Sequence, residues 1–381
     1  MNEENNNYTY TTEIPLPQIT SSGLGAIISS SKHHTYNKHN HQIPLTILSP
    51  SSPPPPILKN STVSNFKKCD VIKELVNSCL QTKIENALYW SCELICSCYY
   101  VELWECIISF FSKHIQVSNP KLVIYLNMRF DIFKCIYNDD ENDIQELKNE
   151  PRIRKLFTEI ICILCLSKKS LHTFQEIKIK DEEFNITNIT NKIKSPRVYI
   201  DNFLVSDEDP QILQVPINEF IYNILDRNSL MACYWFEYVI EYEILLKRKG
   251  ELCFGSNREF PNVVIDAKLQ TDIIWIFWEI LLYYSRENKL LYKITENALQ
   301  LFCIRYKNSM KKKRKYLLYF IITLLTDTTI SSSIYQEIIN ENDKEIIYNA
   351  EQKIDKVYDK ILKNCEVGDI ALDDFNYNND A

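Results

Sequence analysis

The densest concentration of chemistry-bearing side chains is the run Lys311-Lys312-Lys313-Arg314-Lys315, backed by Arg305 and Lys307 upstream and by Lys247, Arg248 and Lys249. Consecutive cations of this kind contact a phosphate backbone or another polyanion, because each one that neutralises a phosphate releases a counterion. A solvated connector ahead of a helix is the competing reading of the same run. Thirteen cysteines offer a second chemistry: Cys92, Cys96 and Cys98 cluster, and Cys162 and Cys165 have the spacing of half a zinc knuckle. Zinc sites pair two such halves on tight turns, whereas Cys162 and Cys165 lie in a run of Ile and Leu. We therefore expect buried cysteines acting as small hydrophobes, and assign no metal and no cofactor. Nucleophilic catalysis needs a Cys or Ser beside a histidine base, yet outside the N-terminal tail the only histidines are His114 and His172. The carboxylate pairs Asp139-Asp140 and Glu182-Glu183 sit among polar residues and are read as solvated surface. Of the five glycines none lies between Cys69 and Lys249, which excludes a glycine-rich phosphate loop there. No catalytic constellation is formed, and the chain is read as non-enzymatic.

Helices are the elements that must position these residues. Val71, Ile72, Leu75, Val76, Cys79 and Leu80 recur at helical spacing behind Asp70, a candidate N-cap. Leu103, Trp104, Ile107, Ile108, Phe110 and Phe111 form another apolar face, and Pro151 opens a helix through Leu156, Phe157, Ile160, Ile161, Ile163 and Leu164. The five tryptophans, Trp90, Trp104, Trp235, Trp275 and Trp278, could stack nucleic-acid bases, but among Ile, Leu and Phe they read as core anchors.

One order of markers occurs twice. Ala87, Tyr89 and Trp90 are followed by Trp104-Glu105 and Arg154-Lys155; Ala232, Tyr234 and Trp235 are followed by Trp278-Glu279 and Arg314-Lys315. A repeated order predicts an all-α protein of two related multi-helix lobes. The expected boundaries are a disordered Asn/Ser/Pro-rich tail over 1–68, lobe one over 69–174 and an exposed linker or small hairpin over 175–216. Lobe two follows over 217–365, with a long loop near 247–268, and an acidic disordered tail occupies 366–381. The tail holds Pro53-Pro54-Pro55-Pro56 and the histidines His33, His34, His39 and His41, which are read as incidental.

The net charge of −7 and pI near 5.6 argue against a protein that coats nucleic acid over its whole surface, while leaving local patches open. Scattered cysteines without a framework, in a chain with no signal peptide, fit an intracellular, reducing setting. The most apolar stretch, 316–325, is about half of what a spanning helix requires, so no membrane is expected. A bias toward Asn, Ile, Lys and Tyr points to an AT-rich genome, such as that of a large DNA virus or a protist.

Ala87-Leu88-Tyr89-Trp90, then Phe111-Ser112-Lys113-His114-Ile115-Gln116 and Asn119-Pro120, resemble the C-terminal helical domain of the RarA/MgsA replication-associated ATPases, the family of the Werner helicase-interacting protein. Residues 160–166 followed by Ser167-Lys168-Lys169-Ser170 are similar to that family's apolar helix and its Pro-Lys-Ser loop. The resemblance covers about 69–174. Where the family has an acidic pair and a glycine this chain has Lys113, His114 and Gln116, and the ATPase module is missing. In that family the region forms the oligomerising collar of a clamp-loader-like ring. The resemblance thus implies a helical assembly module without motor activity, with homo-oligomer or protein partners and, as a further candidate, DNA. The expected function is a non-enzymatic scaffold or accessory factor of DNA replication or repair, with a viral structural or protein-interaction role as the alternative.

Overall fold

In the computed structural model the described residues are 60–376, apart from 140–145, 172–173, 175, 201–202, 204–207 and 328–333. The expected N-terminal tail lies outside them up to residue 59, with its histidines and prolines. From residue 60 the chain already belongs to the folded body: Thr62 is buried, Val63 donates its amide to Ser97, and Ser64 donates to Glu93.

Five helices come first: α1 (Lys68–Leu80), α2 (Ile84–Cys96), α3 (Tyr100–Phe110), α4 (Leu122–Asp139) and α5 (Pro151–Leu166). Asp70 lies in the first turn of α1 rather than at its cap. Pro151 does open α5, where the preceding Glu150 accepts the amide of Arg152. After the short α6 (Ile186–Thr190), a second five follow: α7 (Gln214–Leu225), α8 (Ser229–Arg248), α9 (Ile274–Ser285), α10 (Lys289–Cys303) and α11 (Met310–Thr326). Asn228 caps α8 and Asn288 caps α10, each accepting the orphan amides of the first turn. The final helix is α12 (Glu341–Asn376). It continues past the expected boundary at 365, so residues 366–376 extend a helix instead of forming a separate tail.

The protein is all-α; among the described residues there is no strand, only the isolated bridge between Ser61 and Lys67. The repeated markers fall on helices of the same rank in each set of five. Ala87 and Ala232, both fully buried, sit on the second helices; Trp104-Glu105 and Trp278-Glu279 on the third; Arg154-Lys155 and Arg314-Lys315 on the fifth. Packing repeats as well, since in each set the second helix lies against the first, and the fifth lies against the first, second, third and fourth.

The sets are not separate lobes. One cluster of buried side chains runs through both, and the fourth helices, α4 and α10, pack on each other, with Asn127 bonded to Asn297 and Gln300 between them. Phe111 meets Phe320 edge-on with ring centroids 5.2 Å apart. The segment over 175–216, expected as an exposed linker or small hairpin, is largely exposed but docks at several points, and no strand occurs among its described residues. Just before it Phe174 stacks on Tyr316 and meets Tyr319; within it Phe184 lies against Tyr238 and Tyr242, and the buried carboxylate of Glu219 accepts the amides of Lys194 and Ser195. This strap covers α8 and α11 of the second set, much as α12 covers α2 and α5 of the first.

Helical spacing places Ile347, Ile354, Tyr358 and Ile361 of α12 on one buried stripe against α2 and α5. Asp355 pairs with Arg154 at 2.7 Å and the Tyr358 hydroxyl donates to Asn149. Glu351 lies on the same helix, and burial together with the nearby carboxylate of Glu159 lifts its pKa from 4.5 to about 7, against the opposing pull of Lys155 and Arg129. A carboxyl whose folded pKa is raised contributes stability that is present below pH 4.5 and is lost as pH rises through 7. Glu351→Gln should therefore stabilise the protein at pH 8.5 by about 1–2 kcal/mol, allowing for partial exposure, with the gain shrinking toward pH 5. Urea unfolding of both proteins across that range measures it.

Candidate functional site

The basic run occupies the first two turns of α11, and helical rotation divides it. Positions 311, 314 and 315 share the face turned toward the core, while 312 and 313 point away. Lys311, only 4% exposed, places its ammonium 2.6 Å from Glu243 and 2.7 Å from Asp272. Asp272 also accepts the Tyr306 hydroxyl and the amide of Ile274. Lys315 pairs at 2.7 Å with buried Glu237, which accepts the Tyr319 hydroxyl as well. Arg314, 2% exposed, binds Glu105 of α3 and donates to the carbonyls of Phe302 and Ile304 at 2.6 Å, where α10 ends. Lys312 pairs with Glu241 at the rim. Lys313 alone of the five has no carboxylate within ion-pair reach among the described residues.

The candidate polyanion face Lys311–Lys315 is divided by this rotation, with Lys311, Arg314 and Lys315 turned inward and Lys312 and Lys313 exposed. A buried cation is tolerated only when paired and hydrogen-bonded, and Lys311, Arg314 and Lys315 each find carboxylates on other helices. Burial pushes Glu243 above the usual carboxylate range, against the pull of Lys311. Burial and the neighbouring Asp272 likewise push the Tyr306 phenol far upward. The first set repeats the design at the equivalent position. Arg154 donates to the carbonyls of Lys148 and Asn149 just before its helix and pairs with Asp355. The acidic partners were not singled out as such from the sequence, although Glu105, Glu237 and Glu243 are conspicuous as acids within otherwise apolar helical stretches.

The other expected chemistry is equally internal. Trp235, Trp275 and Trp278 are fully buried, and Trp104 nearly so, which leaves no base-stacking platform among them. Cys92, Cys96, Cys162 and Cys165 are buried, and no group of three or more potential metal ligands occurs among the described residues. Burial pushes the Cys106 thiol up to about 12. His114 packs half-buried against Phe110, and burial followed by the charges of Lys113 and Lys169 lowers its pKa; His172 and Asp140 lie outside the described residues. Glu183, expected in solvent, pairs with Lys192 and accepts the Tyr234 hydroxyl at 2.6 Å. Burial opposes its ionisation, but these bonds outweigh it and hold the carboxyl below its usual range.

One cleft opens where the backbone departs from regular helix. After α3 the chain makes a π-helical turn over Phe111–Ile115, ending at Gln116 with φ 47°, a left-handed conformation that is strained for a side chain with a Cβ. Asn119 then donates to the carbonyl of Ile338, and Pro120 is buried. Together with Ala87 in the core and half-buried Tyr89 and Trp90, these family-like residues are structural. The cleft holds about 220 Å³ between Ser118, the end of α5 and residues 336–343, with Ile163, Leu166 and Ile338 as its apolar lining. Lys168, Glu337 and Asn340 add exposed polar groups, and the buried Ser167 hydroxyl has no hydrogen-bond partner among the described residues. A cavity of this size takes one large side chain or a small polar molecule.

No protein-family model matches the chain, and no curated protein and no solved structure matches it.

The two halves of the basic run should respond oppositely to substitution. Arg314→Met leaves Glu105 and the end of α10 without their donor, and should destabilise by about 3–5 kcal/mol. Lys313→Glu, one residue away on the exposed face, should stay within about 0.5 kcal/mol. Chemical denaturation of both variants separates an interior tie from a surface patch.

Proposed function

We propose that this protein is a non-enzymatic helical scaffold that works through contacts with protein partners, including further copies of itself. The interior placement of its charges carries the reading. Lys311, Arg314, Lys315, Arg258 and Arg129, which elsewhere could bind phosphate or polarise a substrate, each tie helices or loops together through carboxylates, buried in every case but the half-buried Glu105. A body braced in this way is suited to holding surfaces in fixed relation.

Two outward features support partner contact. The first is the cleft beside Asn119. The second is the irregular segment between α8 and α9, which is anchored by Arg258 through two bonds to buried Asp209 and one to Glu279. It holds Leu252 and Phe254 in solvent, 73% and 53% exposed. Apolar side chains on a loop fixed to a rigid framework are a common way to present a contact surface.

A role in DNA replication or repair is the narrower form of this reading, and the resemblance of 69–174 to a collar domain supports it. The internal partners of Lys311, Arg314 and Lys315 weigh against direct DNA contact, so the protein-interaction form without a nucleic-acid role is favoured, in a virus or otherwise. No helix among the described residues is long and apolar enough to cross a membrane.

Light scattering across a concentration series should give a mass above that of one chain, and titration with single- and double-stranded DNA should show no salt-dependent binding. A monomer at all concentrations would remove self-association. Binding that weakens with salt and with Lys312→Glu/Lys313→Glu would restore the polyanion reading.

A further inference from the structure

Cys79 and Cys165 face each other across two helices with their sulfurs 3.6 Å apart, the Cys165 thiol donating to Cys79. Cys79 is the penultimate residue of α1, and Cys165 the penultimate residue of α5. Both side chains are buried, at 2% and 1% exposure. The other close cysteine spacings cannot close in the same way. Cys92 and Cys96 lie four residues apart on α2, and Cys162 and Cys165 three apart on α5, where helical geometry holds Cβ atoms about 5–6 Å apart. A disulfide needs them at about 3.5–4.5 Å. Only a pair on different helices has the freedom to adopt that geometry, and Cys79 with Cys165 is already at sulfur contact.

We propose that Cys79 and Cys165 are an oxidative modification site, at which hydrogen peroxide converts the dithiol to a disulfide that staples the first helix of the first set to the fifth.

Reaction is gated by access. With the helices closed, contact with Cys165 and burial push the Cys79 thiol far above its ordinary pKa, keeping it protonated and unreactive. Helix ends open most readily, and α1 ends one residue beyond Cys79, followed by Gln81 and Thr82, the latter at φ 57°. Opening of that end exposes Cys79 first. The Lys169 ammonium, held by the carbonyls of Leu164, Cys165 and Ser167 at 2.8 Å, supplies positive charge nearby that favours the thiolate. The Cys79 sulfur attacks peroxide, an S–O bond forms as the O–O bond breaks, and one water leaves with a thiol proton and a peroxide oxygen. On reclosure the Cys165 sulfur attacks the sulfenic sulfur of Cys79. The S–S bond forms, the S–O bond breaks, and a second water carries away the remaining oxygen and the Cys165 proton. Two thiols are oxidised and one peroxide is reduced to two waters. The product closes a loop that contains α2, α3 and α4.

The experiment treats the full chain with hydrogen peroxide, blocks remaining thiols in acid, and maps disulfide-linked peptides by mass spectrometry with and without reductant. The exposed thiols Cys69 and Cys135 report in the same sample that oxidant was present. The expected result is a linked peptide pair containing Cys79 and Cys165, reversed by dithiothreitol, with helical circular dichroism retained and the thermal midpoint raised by about 5–10 °C. The Cys79→Ser protein should lose both the linked pair and the rise. Oxidation of Cys69 and Cys135 with Cys79 and Cys165 still free would overturn the proposal, as would a linked pair that appears only in protein that has lost its helical signal.

Discussion

The guanidinium of Arg314 is the point on which the two halves of the molecule converge. It binds Glu105 from the third helix of the first set while donating to the carbonyls at the end of α10 in the second. A guanidinium offers five donors in a fixed plane and stays charged at any accessible pH, so one side chain can satisfy a helix end and a carboxylate together. At 2% exposure the guanidinium itself is shielded from solvent, so it relies on these partners. Glu105, the end of α10 and the register of α11 all depend on that residue. Through α11 so do the Lys311 and Lys315 pairs, which share its helical face.

The two sets of five share much of the remaining architecture and differ in how it is completed. Each set of five uses an arginine at the start of its fifth helix to gather carbonyls from the preceding turn, but the acid that completes the site differs. Arg314 takes Glu105 from the other set, whereas Arg154 takes Asp355 from α12. One copy of the motif therefore joins the sets and the other docks the last helix. The outer faces are closed by different means as well, α12 over α2 and α5 and the strap of Phe174 and Phe184 over α8 and α11. A shared helical unit has been completed twice from unlike material.

The helices were legible because apolar residues recur at the helical period and because Pro151 marks a start with a physical mechanism. The equal rank of the repeated markers was legible for the same reason. The fate of the basic run was not read, because five adjacent charges look like one patch along the chain while a helix turns them about 100° per residue. The partners that draw three of them inward lie far away in sequence. The strap escaped recognition because Phe174 and Phe184 follow no period and are ordered only by what they pack against. Residues 366–376 looked like part of a tail because the stretch 366–381 is rich in Asp and Asn, which rank low in helix propensity. The cleft combines three segments distant along the chain, the turn at 118–119, the end of α5 and residues 336–343, so no local pattern could announce it.

The central claim is that the two sets of five helices form one cooperative body joined through Arg314. Hydrogen exchange followed by mass spectrometry along a urea series reads the opening of α3 and of α9 separately in the same sample. The account predicts that both become exchangeable at one urea concentration in the wild-type protein, and at two different concentrations in Arg314→Met. Separate transitions for α3 and α9 in the wild-type protein would contradict it.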